Sequence, residues 1–252
     1  MDISERKDLR GINLQGADLI EAHLEGSNLQ GANLIEAHLE GSLLMGANLI
    51  GANLHGAHLD GAHLEWIHLG GANLKEANLR GANLFYADLT EANLQGANLI
   101  EANIEKTTFQ LAKLHLANLK EASLQGADLK EANAEMATFQ SAKLHLANFK
   151  EANLQGVNLQ GTDLYGADLQ GANLQGANLY GADLQEAKLE GAELGESILE
   201  GTNLEGADLE GAQHLSLSQL SKVKTLYNAK LDEELRSSLE EKYPALFKKL
   251  DQ

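Results

Sequence analysis

From Leu9 to Leu209 every fifth residue is leucine, save Ile104, Phe109, Ala134, Phe139 and Phe149, which makes 41 consecutive positions in one gapless register. Two residues before these positions stand alanines such as Ala17, Ala22, Ala32 and Ala37, with Ser27, Ser42, Thr107, Thr162, Ser197 and Thr202 among the substitutes. Between alanine and leucine comes a polar residue, mostly Asn or Asp, and two residues after the leucine glycine fills 23 of the 41 positions. The unit is Ala-Asn/Asp-Leu-X-Gly. A helix of 3.6 residues per turn would scatter leucines spaced by five around its circumference and leave no apolar face. In a strand, alanine and leucine share a face and the Asn between them points away, but the next alanine, three residues on, breaks the alternation. The chain must therefore turn a corner every five residues to keep both sets inside. Straight sides joined by corners describe a solenoid, each coil lying about 4.8 Å above the last, the spacing of hydrogen-bonded strands.

Composition then removes whole classes of function. The 252 residues contain no cysteine, which excludes a disulfide scaffold, a thiolate metal site and cysteine catalysis. One proline argues against a Pro-rich linker, and the 25 glycines lack the period of three that collagen requires. No apolar run approaches the roughly 18 residues of a membrane span. The charged start, Met1 to Asp8, has no apolar core of an export signal, so a cytoplasmic protein is expected.

The runs Gly16-Ala17-Asp18-Leu19 to Gly46-Ala47-Asn48-Leu49 and Gly161-Thr162-Asp163-Leu164 to Gly181-Ala182-Asp183-Leu184 resemble the pentapeptide repeat family. The resemblance implies an all-β solenoid, a right-handed quadrilateral β-helix with twenty residues per coil. At about 4.8 Å per coil, ten coils would give a rod roughly 50 Å long. The ending, Leu226 to Asp232 and Glu241 to Phe247, is similar to the tails of cyanobacterial members. The expected organisation is a lead-in over 1–8, the repeat β-helix over 9–212 and a C-terminal helical cap over 213–252. After Ala212 the register stops, and Ser216-Leu217-Ser218-Gln219 reads as a capping box opening a short helix through Val223. Asp232 reads as the cap of a second helix, with Leu235 and Leu239 on one face, ending before Pro244. With only about eight residues to cover it, the N-terminal end is the candidate for self-association.

Four details carry expectations about the interior. Ile12, Ile67 and Val157, standing where alanine is usual, should widen the tube locally, and Ala134 in the leucine register should narrow it and leave a small cavity. Glutamate also fills the glycine position, at Glu21, Glu36, Glu76 and Glu91 among others, so a demand for positive φ looks weak there. Close approach of stacked corners is the expected reason for the glycines.

With twenty residues per coil, Leu43, Met45, Trp66, Phe85 and Tyr86 fall outward on one face of neighbouring coils, and Trp66 is the only tryptophan. An exposed aromatic patch marks an interaction surface, so these five are the candidate partner-binding residues. The same side chains could instead be corner residues packing on the rod's own edges. His38 and His58 should stack about 5 Å apart beside Glu40 and Asp60, an arrangement that could hold Zn²⁺ or Ni²⁺ or simply be a solvated ladder. The solvated ladder is the preferred reading, so no metal and no cofactor is expected.

No nucleophile–base pair and no phosphate loop is present in the sequence, so the expectation is a protein that is not an enzyme. Residues 1–212 carry 31 acids against 12 bases, net −19, and 213–252 carry 6 against 7, net +1. A polyanionic surface disfavours nucleic acid and anionic lipid as direct partners. Two near copies, at Thr108–Asn118 and Thr138–Asn148, stand thirty residues apart, so they should face opposite ways.

Two functions compete. One is a non-enzymatic scaffold that binds an unidentified protein through the aromatic face. The other is an acidic DNA mimic, because some members of the resembling family copy the width and charge of B-form DNA and regulate type II topoisomerases such as gyrase. Its carboxylates would form no continuous row, since the stacked sites read Glu21, Gly41, Gly61, Gly81, Glu101, Glu121.

Overall fold

The computed structural model describes residues 8–249, so all but Asp8 of the expected lead-in lies outside the described residues. Parallel β-bridges join residues twenty apart without a break from Asp8↔Asn28 to Glu193↔Gln213. Four bridged positions fall within each twenty residues, one per pentapeptide, so each coil has four short sides. The leucine and alanine columns point inward and form one continuous buried cluster.

Each residue of the pentapeptide has a task that follows from where its N–H goes. Leu29 N donates to Asn48 O at 2.7 Å and Gly31 N to Ile50 O at 3.0 Å, both in the next coil, while Asn33 N donates to Ile12 O at 2.9 Å in the coil before. Ala32 N donates to Leu29 O at 2.9 Å and closes the corner as a β-turn. The fifth N–H, at the X position, is taken by the Asn or Asp side chain two residues earlier, as in Gln30 N to Asn28 Oδ1 at 3.2 Å. Asparagine adds a second bond that aspartate cannot donate. Asn33 Nδ2 reaches Asn13 Oδ1 at 2.8 Å, and Asn73 Nδ2 reaches Asn53 Oδ1 at 2.9 Å. The preference for Asn and Asp is thus a backbone requirement met by a short side chain.

The corners correct the expectation about glycine. All 23 glycines of the repeat register have φ between 60° and 71°, and the 18 other residues at that position have φ between 53° and 60°. At twelve of those glycines an added Cβ would meet nothing within 4 Å. Left-handed backbone at the third residue of the turn, not close approach, is what the corner demands.

The interior absorbs its exceptions in different ways. Ile67 and Val157 are fully buried, and beside Ile67 lies a space lined by Leu44, Leu54, Leu64 and Leu74 with no room for a water molecule. Ala134, Phe139 and Phe149 are all fully buried, and the two rings pack edge to face with centroids 6.0 Å apart. Most hydroxyls in the alanine column bond locally or across coils: Ser27 Oγ donates to Leu24 O at 2.6 Å and Thr107 Oγ1 to Leu84 O at 2.6 Å, whereas the buried Ser42 Oγ has no partner. At the N-terminal end Ile12, Leu14, Ala17 and Ala22 are only partly buried.

Beyond Ala212 the pairing returns two residues out of step. Leu204 N donates to Thr225 O and Leu209 N to Lys230 O, at 3.2 and 3.0 Å. Leu226 and Leu231 are buried like repeat leucines, Ala229 like a repeat alanine, and Asn228 supplies the corner with φ 59°. The β-pairing therefore runs into the segment assigned from sequence to helix. Helix α1, Leu217–Leu220, opens on the expected capping box at Ser216 and Gln219, and ends three residues before Val223. Gln219 Nε2 also donates to Leu194 O and Ser197 O at 2.8 and 3.0 Å, tying the helix to a coil. Helix α2, Glu233–Lys242, follows Asp232, whose carboxylate accepts from Gly211 N at 3.0 Å instead of capping its own helix. Leu220 and Leu239 are buried in the same cluster as the repeat leucines. A 3-10 turn over Pro244–Phe247 follows, with Leu226 N donating to Leu246 O at 2.7 Å.

Candidate interaction surface

A left-handed backbone costs an L-residue other than glycine roughly 1–2 kcal/mol. Ten of the 18 non-glycine corners are glutamate, two are Lys106 and Ser141, and six are large and apolar: Trp66, Tyr86, Leu111, Leu116, Met136 and Leu146. All six project into solvent, Trp66 at 54% and Leu146 at 59% exposure. A strained backbone under an exposed apolar side chain contributes nothing to the fold, and departures of that kind collect where a molecule has another task.

Trp66 and Tyr86 stand at the same corner on successive coils, with Lys106 one coil further. Trp66 N donates to Phe85 O at 3.0 Å. The Trp66 and Phe85 rings meet edge to face with centroids 6.3 Å apart, and Phe85 and Tyr86 likewise at 4.6 Å. The Lys106 ammonium lies over the Tyr86 ring, 5.3 Å from its centroid. Leu43 sits half-buried at a bridged position between His23 and His63, and Met45 is exposed on the same side, one coil below Trp66. The ring contacts unite Trp66, Phe85 and Tyr86, and Leu43 and Met45 lie on the same side one coil below.

Beneath the rings is a carboxylate. Glu65 Oε1 accepts from Asn83 Nδ2 and lies 3.7 Å from His63 Nδ1, whereas Oε2 is cut off from solvent and has no hydrogen-bond partner. Glu25, Met45, Glu65, Phe85 and Glu105 occupy one row on successive coils, acid and apolar residue in alternation.

Sequence reasoning missed Leu111, Leu116, Met136 and Leu146, although the signal was available as apolar residues in the glycine register. Leu116 and Leu146 belong to the two near copies and stand thirty residues apart, one and a half coils, which puts them on opposite corners as expected.

The histidine ladder is present as a stack, His38 and His58 having parallel rings 4.9 Å apart. His38 Nδ1 lies 3.3 Å from Glu40, but Asp60 is engaged by the Asn78 amide at 2.7 Å. Among the described residues no three of His, Asp and Glu converge as a metal cluster would. Among them also, no helix is long and apolar enough to cross a membrane.

Eight copies of the family model described as pentapeptide repeats match this chain, over residues 8–46, 27–65, 47–84, 63–99, 77–115, 112–151, 147–185 and 177–213. No curated protein matches it. Among solved structures it is similar to HetL, a pentapeptide repeat protein involved in heterocyst differentiation regulation from the cyanobacterium Nostoc sp. strain PCC 7120. Identity is 34%, coverage is 81% of this chain and 92% of that one, and the TM-score is 0.55. A pentapeptide repeat protein of the Arabidopsis thaliana thylakoid lumen shares 25% identity, with 51% and 74% coverage and a TM-score of 0.39. The fluoroquinolone resistance protein QnrB1 shares 21%, with 68% and 90% coverage and a TM-score of 0.33. With the repeat unit, the twenty-residue stacking and the model matches in agreement from residue 8 to residue 213, this chain belongs to the pentapeptide repeat family.

Proposed function

We propose that this protein is a non-enzymatic interaction scaffold of the cytoplasm, a right-handed four-sided β-helix of about ten coils closed at its C-terminal end by α1 and α2. It binds a protein partner through the side that carries Leu43, Met45, Trp66, Phe85 and Tyr86. The observation that carries this reading is the pair Trp66 and Tyr86, large rings held exposed on left-handed backbone where glycine would fold more easily. The regulatory description of HetL, similar at 34% identity, is in keeping with a binding role. Two copies would associate through the N-terminal end, where Ile12 and Leu14 are only partly buried.

The test is capture of a partner by the wild type and by Trp66→Gly with Tyr86→Gly. A band lost with the double variant, while its melting temperature is unchanged or higher, is the expected result. Capture that survives the double variant overturns the surface. The acidity of residues 1–212, net −19, favours a second reading as a DNA mimic. That reading requires salt-dependent inhibition or protection of gyrase supercoiling at micromolar concentration, and no effect removes it.

A further inference from the structure

Resting on that surface, we infer that its partner presents a cationic side chain, arginine or lysine, on a basic peptide segment that docks on the faces of Trp66 and Phe85. Three independent observations converge. First, the site already holds a cation of its own: the Lys106 ammonium lies over the Tyr86 ring at 5.3 Å, inside the range where a ring face attracts positive charge. Second, the rings are mutually perpendicular, 75° between Trp66 and Phe85 and 82° between Phe85 and Tyr86. Edge-to-face packing turns neighbouring faces in different directions, so the cluster offers walls, as cages for ammonium groups do, not one flat stack.

Third, the charge around the rings is negative and incompletely neutralised. Glu65, between Met45 and Phe85 in its row, has an oxygen without solvent or hydrogen-bond partner. A carboxylate so shielded projects its field into the adjacent apolar surface with little screening. Glu25 and Glu105 stand two coils to either side in the same row, and the whole chain carries net −18. An anionic or purely apolar partner would gain nothing from that field, whereas a basic segment is steered towards it. Lys106 then acts as an internal occupant of the Tyr86 face, and its removal opens a third wall.

Because Trp66 is the only tryptophan, its fluorescence reports this site alone. The experiment titrates the full chain, in about 0.15 M salt to screen distant charge, with a capped peptide of arginines alternating with glycine, and with its lysine and glutamine counterparts. Expected is a saturable change in Trp66 emission with the arginine peptide, weaker with lysine and absent with glutamine. Replacing Tyr86 and Phe85 by leucine, which keeps the apolar area and removes the faces, should weaken binding roughly tenfold. Lys106→Gln should strengthen it a few-fold, and Glu186→Gln with Glu196→Gln, at the far end, should leave it unchanged.

Equal responses to the arginine and glutamine peptides, or unaltered affinity in the leucine variant, overturn the inference. So does the absence of any response at millimolar peptide. If partner capture is nonetheless lost in Trp66→Gly with Tyr86→Gly, the interaction surface stands and only the cationic chemistry falls. If capture also survives, the surface itself is wrong.

Discussion

The interior columns and the corners of this rod obey opposite rules. Inside, leucine and alanine recur at most pentapeptides, and even the substitutes Ala134, Phe139 and Phe149 are fully buried. At the corners the backbone is left-handed at all 41 positions, yet the side chain ranges from none in glycine to indole in Trp66. The difference lies in what each position exchanges with its surroundings. An interior atom trades contacts with the coils above and below, so any change is felt by three coils. A corner side chain trades with solvent and with the surface of adjacent coils, not with the core, so it is free to vary at the cost of a fixed local strain.

That contrast can be broken most forcefully through the register. Deleting Gln95 alone displaces every inward residue after it by one position, and the cooperative unfolding transition should be lost. Deleting 92–96 rotates the later coils by one side but keeps the interior filled, and circular dichroism should stay close to that of the wild type. Equal damage from the two deletions would mean that the repeat is not the folding unit. Next in size is Leu94→Ala, at a fully buried position, expected to cost about 2–5 kcal/mol in denaturant unfolding.

Asn73→Asp separates the two tasks of the polar position. It keeps the bond from Lys75 N and loses the one donated to Asn53, so it should cost about 1 kcal/mol. At the corners the sign reverses. Gly51→Ala, whose new Cβ meets nothing, should destabilise by about 1 kcal/mol through φ alone, whereas Glu21→Gly should stabilise by a few tenths. A neutral Gly51→Ala would reinstate close approach as the reason for glycine. Smallest is Lys230→Met. The Asp208 carboxylate, 2.6 Å away, holds the Lys230 ammonium above the ordinary lysine range. A raised lysine contributes its stabilisation fully below its unfolded value and loses it only as pH rises through the folded one. Any effect of the substitution on melting temperature should therefore be slight and flat from pH 6 to 9.

The interior was legible in the sequence because a buried column admits few residue types, and the leucine period alone demanded corners. The backbone of the corners was misread, because ten glutamates at the glycine position look like tolerance when they are strain endured. The returning half coil at Thr225 and Lys230 was hidden by a two-residue offset, which defeats a fixed period even though Leu226, Asn228, Ala229 and Leu231 keep the pattern. Trp66, Phe85 and Tyr86 stood out as an exposed ring cluster because aromatic residues are rare in this chain. Leu111, Leu116, Met136 and Leu146 were not, since leucine among so many leucines carries no contrast until its register is counted.

The twenty-residue spacing of the bridges also sets how the chain finds its shape. Most native pairings join residues about 20 apart in a chain of 252, a relative contact order of about 0.08, in the range of helical bundles and far below that of β-sandwiches. Closing one loop of twenty residues nucleates a coil, and each further coil requires only another closure of the same length. A molecule whose regular hydrogen bonds are strand-like between coils should therefore fold by zipping from any point along the rod, at the speed of a helical protein.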